Sequence, residues 1–191
     1  MEIQHTLRSI LRGMPRLFFG GVPAERAGDE RLAHRRLGLK GSAGLGLTCE
    51  AFAEGAPIPP QFSADGGGQT PLLRWTGALG ATRSLALLVE DPDAPTPNPF
   101  VHWLLYGIRV STQTTAEALA AGALIGRNSM MRPNWAGCAP PKGDLAHRYF
   151  FQLFALDSDL RLGPQVGRSA LIQAMQGHAL GCAILTGTYQ R

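Results

Sequence analysis

The sequence predicts a mainly β protein, and three observations carry that prediction. The runs Phe100 to Ile108 (FVHWLLYGI) and His147 to Leu156 (HRYFFQLFAL) are apolar on both faces, as strands covered from both sides are. Ser84 to Glu90 (SLALLVE) is continuously apolar and stops at a proline-bound turn, the mark of a buried strand. Finally, 24 glycines and 14 prolines in 191 residues supply the turns that cut a chain into short elements.

Each element follows from its own pattern. In the first doubly apolar run, alternation sets Val101, Trp103 and Leu105 on one face and His102, Leu104, Tyr106 and Ile108 on the other. In the second, His147, Tyr149, Phe151 and Leu153 point one way, and Arg148, Phe150, Gln152 and Phe154 the other. Gly55 to Pro60 and Asp65-Gly66-Gly67-Gly68 punctuate shorter segments, and a glycine- and proline-bearing loop runs from Gly126 to Gly143. Thr114 and Glu117 have capping-box spacing ahead of a short Ala-rich helix. Leu171, Ala174, Met175 and His178 fall at helical spacing, and Ala183 to Tyr189 resembles a closing strand.

Charge divides the chain. Residues 1–40 hold eight Lys or Arg against four acids, whereas the other 151 residues hold ten of each sign, so the net charge of +4 belongs to the N-terminal part. We therefore read residues 1–44 as a basic arm and residues 45–191 as the compact domain, which speaks against nucleic-acid binding by the domain itself. Within the arm, Ile3, Leu7, Ile10, Leu11 and Met14 form one apolar helical stripe with Arg8, Arg12 and Arg16 off it. That helix can pack on its own domain, join a homodimer through the arm, or lie on an anionic membrane surface. The glycines and proline of residues 20–44 read as a linker.

No apolar run approaches the roughly 20 residues of a transmembrane helix. Arginines interrupt the only stretch that could pass for a signal peptide, and an odd three cysteines without a C-x-x-C pair suggest neither a disulfide framework nor a zinc ribbon. A cytoplasmic location is the expectation.

The chemistry concentrates in three places. Asp91-Pro92-Asp93-Ala94-Pro95 holds two acids between φ-locked prolines directly after a buried strand. Taken alone, such acids more often bond nearby backbone N–H groups than line a site. His102 interrupts an apolar strand, where an imidazole needs partners for its ring nitrogens, and a lone case is usually a satisfied core histidine. His147-Arg148-Tyr149 repeats the anomaly after the stiff loop Gly137-Cys138-Ala139-Pro140-Pro141. Several polar groups at apolar strand ends resemble a small pocket with convergent donors.

These same residues resemble a known family. Asp91 to Pro95 with Phe100-Val101-His102-Trp103, and then Gly137 to Gly143 with His147-Arg148-Tyr149, are similar to the two signatures of the phosphatidylethanolamine-binding proteins, in the bacterial YbhB/YbcL-type branch related to Raf kinase inhibitor protein. The likeness extends over about residues 45–191. It implies a central antiparallel sheet with a smaller second sheet and flanking short helices, and a pocket for phosphate-like anions or a phospholipid headgroup. It assigns Asp91, His102, Pro140, His147 and Tyr149 to that pocket. It also implies inhibition of a kinase or protease as an alternative role. The sequence departs from the bacterial pattern in its Gly137-Cys138-Ala139-Pro140-Pro141 loop and at Asn134-Trp135.

An aspartate beside an anion site calls for a partner, and we expect Asp91 to hold a histidine and fix its tautomer so that the ring presents an N–H to the ligand, with anion affinity rising as pH falls. No G-x-S-x-G, Walker loop or H-E-x-x-H motif is present, so neither enzyme activity, a cofactor nor a metal is expected. Cys138 near His147 leaves a Cys–His nucleophile as a minor alternative. Met130, Met131, Arg132 and Trp135 have residue types favoured at interfaces, or else cover the pocket.

Overall fold

In the computed structural model, which describes residues 25–41, 44–77 and 80–191, seven strands form two antiparallel sheets. β1 (Gly46–Cys49) and β2 (Leu73–Thr76) make the smaller one. The central sheet comprises β3 (Ser84–Asp91), β4 (Phe100–Arg109), β5 (Leu124–Ile125), β6 (His147–Leu156) and β7 (Ala179–Tyr189), in the order β5-β4-β3-β6-β7. The short helices are α1 (Ala33–Arg36), α2 (Thr115–Ala120) and α3 (Arg168–Met175). The helix expected at Ile3 to Met14 lies outside the described residues.

The two faces of the central sheet are buried against different layers. Leu85, Leu87, Val89, Trp103, Leu105, Tyr149, Phe151 and Leu153 pack with Leu47, Leu73 and Trp75 of the small sheet. On the other face Ala86, Leu88, Leu104, Tyr106, Phe154 and Leu156 meet Leu171, Ile172 and Met175 of α3 together with Ala33 of α1. Each large side chain so buried contributes about 2–3 kcal/mol of transfer free energy. β6 alternates as its sequence predicts, His147, Tyr149, Phe151 and Leu153 sharing the small-sheet side.

β4 departs from simple alternation, because it is bulged twice. Glu90 pairs with Val101 but Val89 pairs with Trp103, so His102 is an extra residue; Leu87 pairs with Leu105 but Leu85 with Ile108, leaving Tyr106 and Gly107 opposite one residue of β3. Gly107 has φ 65°, the left-handed conformation such a bulge needs. Val101 consequently packs with Leu104 and Tyr106, and Ile108 with Trp103 and Leu105, contrary to strict period-two parity.

Two smaller expectations are refined. Thr114 caps α2 by accepting the Glu117 N–H at 3.2 Å, but the Glu117 carboxylate accepts the Gln113 N–H at 2.8 Å rather than that of Thr114, so the box is not reciprocal. Residues 55–58 run beside β7, where Gly55 and Ile58 donate to the Thr186 and Thr188 carbonyls at 2.7 Å and shield the sheet edge.

The described part of the expected linker is docked, not free. Residues 25–41 carry a 3₁₀ turn (Asp29–Arg31) and α1, with Leu32 and Ala33 fully buried. Ala33 N–H donates to Glu90 Oε2 at 2.8 Å, and His34 donates through its backbone N–H and Nδ1 to Gln152 Oε1 at 3.0 and 2.9 Å. Glu90 and Gln152 are completely buried on β3 and β6, so this segment satisfies polar groups that the sheet would otherwise strand in its core.

Candidate functional site

The end of β3 and the starts of β4 and β6 meet at one edge of the sheet, which brings Asp91, His102, His147 and Tyr149 together. Asp91 Oδ1 accepts the N–H groups of Asp93 and Ala94 at 2.8 and 3.0 Å, closing the turn that the two prolines stiffen. Its other oxygen, Oδ2, accepts from His147 Nδ1 at 2.8 Å. Both side chains are within a few per cent of full burial. The histidine held by Asp91 is therefore His147.

This pairing decides what His147 presents. Contrary to the expectation that the fixed tautomer presents an N–H, the Nδ1 proton is directed at Asp91, so the neutral ring offers a lone pair at Nε2 and becomes a donor there only when doubly protonated. Burial and the charge of Arg26 disfavour that charged form, but the hydrogen bond and charge of Asp91, aided by Asp144, prevail and raise the pKa of His147 above the ordinary histidine value.

His102 behaves differently. The bulge turns it to the small-sheet face, where its ring lies 5.0 Å from that of Tyr149 and 5.6 Å from that of Trp135. Its Nδ1–H donates to the Ala136 carbonyl at 2.5 Å, while Ala136 N–H donates back to the His102 carbonyl at 2.9 Å. Burial lowers its pKa, so His102 is neutral with an acceptor at Nε2.

Tyr149 is fully buried, and its hydroxyl makes no hydrogen bond of good geometry, with the Cys138 thiol and the Ala139 N–H as its polar neighbours. Burial first, and the neighbouring Cys138 and Asp91 next, push its ionisation far up, so it is a phenol with a proton to donate. Cys138, also fully buried, has its thiol pushed up by burial and by Asp91. Pro140 is buried two residues farther along the same loop, its carbonyl accepting from Arg191 Nε at 2.7 Å.

The loop wall is stitched to residues 62–64. Trp135 Nε1 donates to the Phe62 carbonyl at 3.0 Å, Ala64 N–H donates to the Cys138 carbonyl at 3.0 Å, and the Trp135 ring stacks on Phe151 at 6.1 Å. Trp135 is 5 % exposed, whereas Met130 and Met131 are 51 % and 66 % exposed. Of the candidate interface residues, the tryptophan thus packs inside against His102 and Phe151, and the methionines lie at the surface.

Two residues that the sequence did not single out stand over His147. Arg26 Nη1 lies 3.3 Å from His147 Nε2, and Arg26 also donates to the Asp93 carbonyl and, through Nη2, to Asp144 Oδ2 at 3.0 Å. Asp144 Oδ2 is 3.4 Å from the same Nε2. The sequence carries no local signal for Arg26, one of eight cations in the arm. Asp93 takes Arg148 through the backbone N–H at 2.9 Å, Nε at 2.9 Å and Nη2 at 2.7 Å, and Arg148 also reaches Asp29. Burial opposes ionisation of Asp93, but these Arg148 hydrogen bonds prevail and lower its pKa. Among the described residues no group of three or more His, Cys, Asp or Glu is arranged to hold a metal, and no helix is long and apolar enough to cross a membrane.

The sequence and the two-sheet fold together match a described class. The family model for phosphatidylethanolamine-binding protein matches residues 48–190, and the chain belongs to that family. Within it, the chain is similar to UPF0098 and YbcL proteins. It is 40 % identical to a UPF0098 protein of Chlamydia pneumoniae over 149 residues, covering 76 % of this chain and 98 % of the relative. Among solved structures, a putative phosphatidylethanolamine-binding protein homologue, CT736 of Chlamydia trachomatis, has 34 % identity and a TM-score of 0.72, with 78 % of this chain and 99 % of that one covered. YbcL of E. coli has 28 % identity, a TM-score of 0.71 and the same coverage.

Proposed function

We propose that the protein is a non-catalytic binder of a phosphate-like anion or a phosphorylated small ligand, held between His102, His147 and Tyr149 with Asp91 behind His147 and Pro140 in the adjoining wall. The observation that carries this reading is the Tyr149 hydroxyl, a fully buried donor that makes no well-formed hydrogen bond and has only the Cys138 sulfur as a neighbouring acceptor. Leaving such a donor unmade costs about 1–3 kcal/mol, which a ligand oxygen offsets. The doubly protonated His147 supplies a charge-assisted N–H, and neutral His102 accepts the proton of a singly protonated phosphoryl group.

The raised pKa of Cys138 supports a binder over a Cys–His nucleophile, since a buried thiol kept protonated is not activated. Three free cysteines fit a reducing, cytoplasmic compartment. A second reading, an interaction module that inhibits a kinase or protease, draws on the exposed Met130 and Met131 at the tip of the 126–143 loop.

The test is calorimetric titration of the full chain with inorganic phosphate and phosphorylethanolamine between pH 5.5 and 8.5. Affinity is expected to rise as pH falls through the His147 range. No binding at any pH would overturn the anion reading. Exchange of Met130 and Met131 for Ser distinguishes the second reading, which requires lost inhibition of a target kinase or protease with anion binding intact.

A further inference from the structure

The charges around His147 do not suffice for an anion unless Arg26 is counted. Asp91 and Asp144 both approach the ring, at 2.8 and 3.4 Å, whereas Asp93 is taken by Arg148. Two carboxylates against one imidazolium leave the mouth net negative, and an arriving anion would be repelled. Arg26 restores the balance. It comes from residues 25–41, which precede the residues that the family model matches, 48–190.

The segment holds Arg26 in place from just beyond it. Gly28, at φ 70°, donates its N–H to the Pro92 carbonyl at 3.2 Å, and the Asp29 carboxylate accepts two N–H groups of Arg148 at 3.0 and 2.8 Å. The Arg26 side chain itself is 43 % exposed, so a movable tip sits on a fixed stem. A guanidinium carries five N–H groups. Those directed at the Asp93 carbonyl, His147 Nε2 and Asp144 leave the remainder free for a ligand oxygen.

We propose that Arg26 is an anion-contacting residue of the pocket, delivered by the N-terminal arm, which forks onto a phosphoryl group alongside His147 Nε2–H. This rests on the anion reading above. From its place at the lone-pair side of His147 Nε2, Arg26 needs only a short outward turn to share the anion with the protonated ring. The arm is then part of the binding site, and a ligand ties residues 25–41 more firmly to the domain.

The test compares the full chain with Arg26→Ala, Arg26→Lys and Arg36→Ala by titration with inorganic phosphate at pH 6.5 and fixed low salt, with thermal unfolding to check each fold. Loss of a charge-assisted hydrogen bond predicts about tenfold weaker binding for Arg26→Ala. Arg26→Lys should recover part of it, a point charge without the fork. Arg36 is exposed on α1 away from these contacts, so Arg36→Ala should bind as the parent does and control for net charge. Unchanged or tighter binding by a folded Arg26→Ala overturns the proposal, tighter binding marking Arg26 as a plug. Absence of phosphate binding by the parent chain instead overturns the anion reading, and the role of Arg26 with it.

Discussion

Asp91 and His147 form a buried pair, Oδ2 to Nδ1 at 2.8 Å, across the point where β3 ends and its antiparallel neighbour β6 begins. Because the pair raises the His147 pKa in the folded state, its stabilisation is fully present below the unfolded value of about 6.5 and is lost as pH rises through the folded value. The urea midpoint should therefore fall from pH 6 upward across that range. Asp91→Asn should flatten this slope, lower the His147 pKa in an NMR titration of the ring, and cost about 2 kcal/mol. A pH-independent midpoint in the parent chain would contradict the coupling.

Tyr149→Phe separates binding from stability. The substitution removes a hydroxyl that makes no well-formed hydrogen bond and keeps a ring in contact with His102, so stability should change by less than about 1 kcal/mol. Phosphate affinity should nevertheless drop about tenfold, the value of one lost hydrogen bond to a charged oxygen. A purely structural Tyr149 would give the reverse pattern, lower stability with unaltered binding.

Legibility in the sequence followed the regularity of the backbone. β6 has an unbroken register with β3, so alternation alone placed His147 and Tyr149 on one face. β4 has two bulges, and one inserted residue inverts the parity that period-two counting assumes. His102 was still named, because an imidazole in an apolar strand is conspicuous and the family resemblance assigns it. Arg26 could not be found that way. Its position depends on contacts made more than 60 residues away, and its own neighbourhood reads as a glycine-bearing linker. The reason that linker docks was present but ambiguous: Glu90 and Gln152 are polar residues in apolar strands, and alternation does not say what satisfies them.

Gly137→Ala tests whether the altered loop sets the shape of the proposed anion site. A Cβ at this position would stand 2.4 Å from Ala64 N and 2.7 Å from Ser63 C, and backbone atoms cannot swing aside as a side chain can. The loop must move, and with it the Ala136 carbonyl that fixes the His102 tautomer and the wall that carries Cys138 and Pro140. We expect a loss of about 1–3 kcal/mol from this overpacking, with weakened phosphate binding. Wild-type affinity in a Gly137→Ala protein would show that the loop does not shape the site.

Glu90 is where the arm and the domain are joined, and its removal should affect both. The completely buried carboxylate accepts Gln152 Nε2 at 2.7 Å and Ala33 N–H at 2.8 Å through Oε2, and Arg168 Nε at 2.5 Å through Oε1. Arg168, 13 % exposed, also donates to the Arg31 carbonyl. Glu90→Leu leaves the guanidinium without its counter-charge and two donors without an acceptor, a change expected to cost about 3–5 kcal/mol. Residues 25–41 lose their central anchor at the same time, so trypsin should cut at Arg31, Arg35 or Arg36 several times faster than in the parent chain under native conditions. Arg26 would then be held less firmly over His147, and phosphate affinity should decline although Glu90 is not one of the residues proposed to hold the anion. A Glu90→Leu protein that kept its parental resistance to trypsin would show that the arm is held by its other contacts, chiefly Asp29 to Arg148.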